Sequence, residues 1–111
     1  MADHSNAQEL EAGAFETGGT VQYQDGTVVS REIIRKPSGS VTAFAFAEGQ
    51  GLSEHSAPFD ALVQVLDGAV DIRIGGATHR LREGQMIIMP AGVPHALAAV
   101  TRFKMLLVMI K

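Results

Sequence analysis

The chain has 111 residues, 46% apolar and 19% charged, which suits one globular domain with a single buried core. The net charge is −3, and the nine lysines and arginines are scattered, which argues against nucleic acid as a partner. There is no cysteine, so disulfides and thiolate metal ligands are excluded.

Residues 1–20, from MADHSNAQEL to ETGGT, are polar and read as a loose arm with one short helical turn about Asn6–Glu11. They carry no basic segment followed by a long apolar run, and no later run is long enough to cross a bilayer. The expectation is a soluble cytoplasmic protein without a membrane partner. Beyond the arm, turn signals recur about every 8–12 residues, the spacing of antiparallel sandwiches and barrels. In order they are Asp25-Gly26, the KPSGS loop, AEGQGL, LDGA, IGGA, REGQ and MPAGVPH. Between them lie runs rich in Val, Ile, Phe and Thr: TVVSREII, SVTAFAFA, ALVQVL, VDIRI, QMIIM and FKMLLVMI. None has helical spacing. Residues 21–111 are therefore taken as one all-β domain.

One hairpin can be checked by its chemistry. With Gly75-Gly76 as a two-residue turn, Asp71 falls opposite Arg80 and Ile72 opposite His79. One face then carries Ile72, Ile74, Ala77, His79 and Leu81, and the other carries Asp71, Arg73, Thr78, Arg80 and Arg82.

The chemistry-bearing residues sit in two stretches. In SEHSAPFDALVQVLDG, His55 precedes an apolar run; in REGQMIIMPAGVPHALAA, His95 ends a Pro/Gly loop. These stretches resemble the two motifs of the cupin family. Gly49, His55 and Gly68 fit the first, G-x5-H-x-H-x3–4-E-x6-G. Gly84, Pro90, Gly92 and His95 fit the second, G-x5-P-x-G-x2-H-x3-N. The resemblance runs from about Val41 to Ile110. It implies a small antiparallel jelly-roll β-barrel with a central pocket. It also implies a divalent metal held by three histidines and a carboxylate. The second histidine position is Ala57, the carboxylate position is Ala61 and the final asparagine position is Ala99. Two of four ligands thus remain, and the expected metal site is weak: His55 and His95 alone, holding Zn, Ni, Cu, Mn or Fe if any.

On an unbroken strand, residues 55, 57, 61, 63 and 65 would share a face, with Asp60 on the other. Phe44, Phe46, Phe59 and Met105, with Ala57 and Ala61, are candidates for the pocket lining. His79 is expected to be packed and bonded to backbone. The five methionines (Met1, Met86, Met89, Met105 and Met109) fit core gap-filling more readily than copper ligation. Glu48, Glu54 and Asp60 fit a solvated rim. No nucleophile and base are evident, and EGQG lacks the helix and lysine of a phosphate loop.

Two function classes remain open at this point. One is a barrel that binds a small organic molecule at a reduced two-histidine site. The other is a divalent-metal-dependent enzyme of oxygenase or isomerase type. ALVQVL and MLLVMI are apolar on both faces, and a barrel interior buries only one, so a homodimer is expected.

Overall fold

The computed structural model describes residues 10–111. Most of the arm's expected helical turn therefore lies outside the described residues. Nine strands follow: β1 (Val28–Lys36), β2 (Gly39–Phe46), β3 (Gly51–His55), β4 (Asp60–Asp67), β5 (Ala69–Ile74), β6 (Ala77–Arg82), β7 (Met86–Met89), β8 (His95–Ala99) and β9 (Phe103–Ile110). All pairings are antiparallel. One sheet has the order β1-β2-β9-β4-β7 and the other β3-β8-β5-β6. The two sheets face each other as a jelly-roll sandwich, with the core between them.

Alternation decides which side chains point inward. In β4, Ala61, Val63 and Val65 are buried while Leu62, Gln64 and Leu66 are not. Phe46, Val63, Val65, Val70, Ile72, Leu97, Phe103 and Met105 pack into one cluster from both sheets. The rings of Phe46 and Phe103 stack at 4.5 Å between centroids and close one end of the sandwich. The hairpin register is the one the glycine pair implies: Asp71 lies opposite Arg80, and Arg80 Nε and a terminal guanidinium nitrogen donate to its two carboxylate oxygens at 2.8 and 3.0 Å.

Gly68 shows why β4 and β5 can meet so sharply. Its φ is +76°, and a Cβ there would stand 2.0 Å from the Arg102 carbonyl oxygen. Only glycine tolerates both conditions.

The arm is tied down earlier than its composition suggests. Thr20 and Val21 are buried, and Val21 packs with Ala43 and Ala45 on the outer face of the five-stranded sheet. Lys104 Nζ donates to the Gly18 carbonyl at 2.7 Å, and the Tyr23 hydroxyl donates to Asp67 Oδ2 at 2.6 Å. Arg102 and Lys104 both lie over the Tyr23 ring. Burial, followed by the bond to Asp67, pushes the Tyr23 pKa well above the usual phenol range. Hydrogen bonds and cation–ring contacts thus add to the burial of Thr20 and Val21 in holding this segment.

Candidate functional site

The site lies at the end of the sandwich opposite the Phe46–Phe103 stack. The loops joining β3 to β4 and β7 to β8 meet there, tied by the Gly92 amide donating to the Ala57 carbonyl at 2.8 Å. The Gly75 amide, in the β5–β6 turn, donates to the Pro94 carbonyl at 2.9 Å. Gly92 has φ +77°, which lets the second loop double back before His95.

His55 is the last residue of β3 and His95 the first of β8, and they pair directly across the ladder. Their rings meet edge to face, with centroids 4.5 Å apart and planes at 70°. His95 is 5% exposed, whereas His55 is open to solvent. Each ring is oriented by the backbone two residues upstream. His55 Nδ1 lies 2.7 Å from the Ser53 carbonyl oxygen and His95 Nδ1 lies 3.2 Å from that of Val93. A carbonyl can only accept, so both bonds require Nδ1–H and leave the Nε2 lone pair free. Burial holds the His95 pKa below its ordinary value. The Val93 carbonyl pulls the other way, and repulsion from His55 adds to the lowering.

The inner face of the four-stranded sheet continues this row as His55–His95–Ile74–Ala77. At the same end of the five-stranded sheet, the inner row reads Ser40–Met109–Ala61–Met89. Ala61 is thus flanked on both sides by methionine. The chain does not run as one strand from residue 55 to residue 65. It leaves one sheet at His55, bends through residues 56–59, and enters the other at Asp60. Ala57 sits in that bend, half-buried, with its carbonyl held by Gly92. Asp60 is exposed, and its Oδ1 accepts the Ala91 amide at 2.8 Å. That bond caps the loop and points the carboxylate away from the histidines' face.

The other candidates distribute by depth. Phe46 and Met105 are fully buried and Phe44 stacks on Phe46 at 5.8 Å, all deeper in the core than the mouth. Phe59 is half-buried in the bend, with Lys111 Nζ 5.5 Å from its ring centroid. Glu54 accepts from Arg73 at 2.7 Å on the outer surface. His79 differs from expectation. It shares the inner parity but is exposed, on β6 at the edge of its sheet. The alternation gave its face correctly and could not give the edge.

A hard divalent ion does not fit these residues. Ala57 and Ala61 offer no donor, and among the described residues no group of three or more His, Asp or Glu side chains could hold an ion. The Nδ1 bonds to Ser53 and Val93 carried no sequence signal, since any residue presents a carbonyl.

These two facing antiparallel sheets, with both imidazoles at one mouth, define a small jelly-roll barrel. The cupin domain model matches residues 43–111, and the chain belongs to the cupin family. A conserved protein of unknown function from Streptococcus pyogenes is 40% identical, over 90% of this chain and 88% of that one, with a TM-score of 0.86. A cupin 2 conserved barrel domain protein from Leptotrichia buccalis is 38% identical over 87% of this chain, with a TM-score of 0.84; the chain spans only 47% of its length. A cupin superfamily protein from Desulfitobacterium hafniense is 27% identical over 81% and 83% of the two chains, with a TM-score of 0.79. No curated protein matches.

Proposed function

We propose that the chain is a small-molecule-binding barrel in which His55 and His95 form the polar anchor of an otherwise apolar mouth. The observation that supports this is the pair itself: two imidazoles in edge contact, each with Nδ1 engaged by backbone. Their Nε2 atoms accept hydrogen bonds, so the fitting ligand is a small organic molecule with an apolar body and a hydrogen-bond donor. Phenol and benzoate serve as probes in titrations followed by NMR shifts of the His55, Ile74 and Met89 signals. Phenol, a neutral donor, should bind more tightly than benzoate. Unchanged phenol binding in a variant with His55→Ala and His95→Ala would sink the reading.

A second reading, a divalent-metal-dependent enzyme of oxygenase or isomerase type, draws support from the Nδ1 bonds. Metal-ligating histidines usually donate their other nitrogen to a carbonyl or carboxylate. Bound so sparsely, Zn, Ni, Cu, Mn or Fe would be weak, and more so below about pH 6.5, where imidazole protonates.

The partner surface follows from the outer face of the five-stranded sheet. Ile34, Val41, Val108, Leu62 and Ile88 fall in register across all five strands. Ile34 is 41% exposed and Ile88 62%. The Val21 segment covers only the neighbouring patch around Ala43 and Ala45. Val108 lies on the central strand, so a two-fold axis there would set Ile34 of one copy on Ile88 of the other, the self-complementary form of a dimer contact. The occupant is a second copy of the chain. Light scattering should give twice the single-chain mass at micromolar concentration and a single-chain mass for Ile88→Lys. A wild-type monomer would refute the dimer. A cytoplasmic setting is consistent with the absence of cysteine, and among the described residues no helix is long and apolar enough to cross a membrane.

A further inference from the structure

The sequence contains two Asp-Gly pairs, Asp25-Gly26 and Asp67-Gly68, and both glycines have positive φ, +70° and +76°. The fold holds the two pairs very differently. Asp67 ends β4 opposite Lys104 in the ladder, and its Oδ2 accepts the Tyr23 hydroxyl at 2.6 Å. Gly68 is wedged against the start of β9, where a Cβ would overlap the Arg102 carbonyl oxygen and the Phe103 backbone. Asp25 and Gly26 are both exposed, and a Cβ on Gly26 would meet nothing within 4 Å. The backbone bond that closes their turn runs from the Thr27 amide to the Gln24 carbonyl at 3.4 Å, long for an amide–carbonyl bond. The firmer anchors lie on either side: the Tyr23 hydroxyl on Asp67 upstream, and the Ala47 amide donating to the Thr27 carbonyl at 3.0 Å downstream.

We propose that Asp25 is a site of spontaneous backbone modification in the folded protein, converting to isoaspartate through a cyclic imide, and that the fold protects Asp67 from the same reaction. In the first step the Gly26 backbone nitrogen bonds to Cγ of the protonated Asp25 carboxyl. The N–H proton and the carboxyl hydroxyl leave together as water, and a succinimide ring closes. Water then adds to one of the two ring carbonyls. Opening at Cγ restores aspartate. Opening at the main-chain carbonyl carbon breaks its bond to the Gly26 nitrogen, leaves the chain running through Cγ and frees an α-carboxylate. No oxidation state changes, and water is the only co-reactant. Ring closure needs the following nitrogen to swing toward the aspartate side chain. Glycine hinders that least, having no Cβ and the widest backbone freedom. At Asp25 no packed neighbour resists the swing. At Asp67 the ladder, the Tyr23 bond and the wall against Gly68 all resist it, so ring closure waits for local opening. The product inserts one extra main-chain carbon between the arm's anchor at Tyr23 and the start of β1, at a turn with room to take it.

The test keeps the full chain folded for weeks in buffer made with 18O water, since hydrolysis of the imide places one solvent oxygen in either product. Peptides are then read by mass spectrometry with electron-transfer fragmentation, which separates isoaspartate from aspartate. The expected result is 18O and isoaspartate at Asp25, accumulating at least about tenfold faster than at Asp67, where local opening must come first. In urea the two sites should label at similar rates, because the fold no longer separates them. Asp25→Glu, a change at an exposed position, should abolish label in that peptide and leave Asp67 as before. No label at Asp25 in the folded chain, or equal label at both sites, overturns the proposal. A difference that survives in urea overturns the assignment to the fold. Label that persists in the Asp25→Glu peptide overturns the assignment to residue 25.

Discussion

The two ends of the barrel interior are built from the same alternation, yet one is sealed and the other open. At the sealed end, Phe46 and Phe103 are 0% exposed, and their rings stack. Backbone amides lace the loops around them, Gly49 donating to the Ala99 carbonyl, Val100 to the Ala69 carbonyl and Ala69 to the Thr101 side-chain hydroxyl oxygen. At the open end the inward residues include Ala61 and Ala77, and two imidazoles meet edge to face. The aromatic end holds the sheets together; the opposite end is left room by alanine and carries its imidazoles on one sheet. Stability and chemistry are thus separated along the strands, and substitutions at the two ends should fail in different ways.

The largest expected effect lies at the sealed end. Phe103→Ala removes a fully buried ring and its stacking on Phe46, and should cost about 3–5 kcal/mol in urea unfolding. Phenol and metal titrations of the surviving folded fraction should be unchanged. A loss of binding without a loss of stability would erase the distinction between the ends.

Next comes Ala61→Glu at the open end. It places a carboxylate between Met89 and Met109, on the face toward the histidines. Zn(II) should then bind about tenfold or more tightly, a gain of about 1.4 kcal/mol. Without metal the variant should melt at lower temperature, because a carboxylate at a 3% exposed position is desolvated. Unchanged Zn(II) affinity would place residue 61 out of reach of the imidazoles.

Smaller still is the pH dependence set by His95. Burial holds its folded pKa below the ordinary value of 6.5. As pH falls, the unfolded chain takes up this proton first. Stability is therefore full above about 6.5, declines as pH drops toward the folded value, and levels off below it. His95→Asn should flatten that segment of the stability curve. An unaltered slope would mean that another group sets it.

Much of this was legible in the residues. The glycine turns, the β5–β6 register and the inward set of β4 follow from alternation and turn chemistry alone. His55 and His95 could be paired because the glycine and proline spacing around them resembles the two cupin motifs. Two features were not legible. β8, written HALAA, lacks the branched residues that announce a strand, and only its place between β3 and β5 makes it one. The break at residues 56–59 moves Ala57 and Ala61 off a common strand, and nothing in SAPF fixes which sheet the chain enters next. The grouping of Met89 with Met109 depends on that step: they are twenty residues apart and meet only through β4.

The central claim is that His55 and His95 present free Nε2 atoms to one shared space. Long-range 1H–15N correlation of histidine-labelled protein near pH 7.5 reads it directly. The expected result is two rings in the Nδ1–H form with unprotonated Nε2, both shifting together when phenol is added. An Nε2–H tautomer at either ring, or a ligand that moves only one of them, would contradict it.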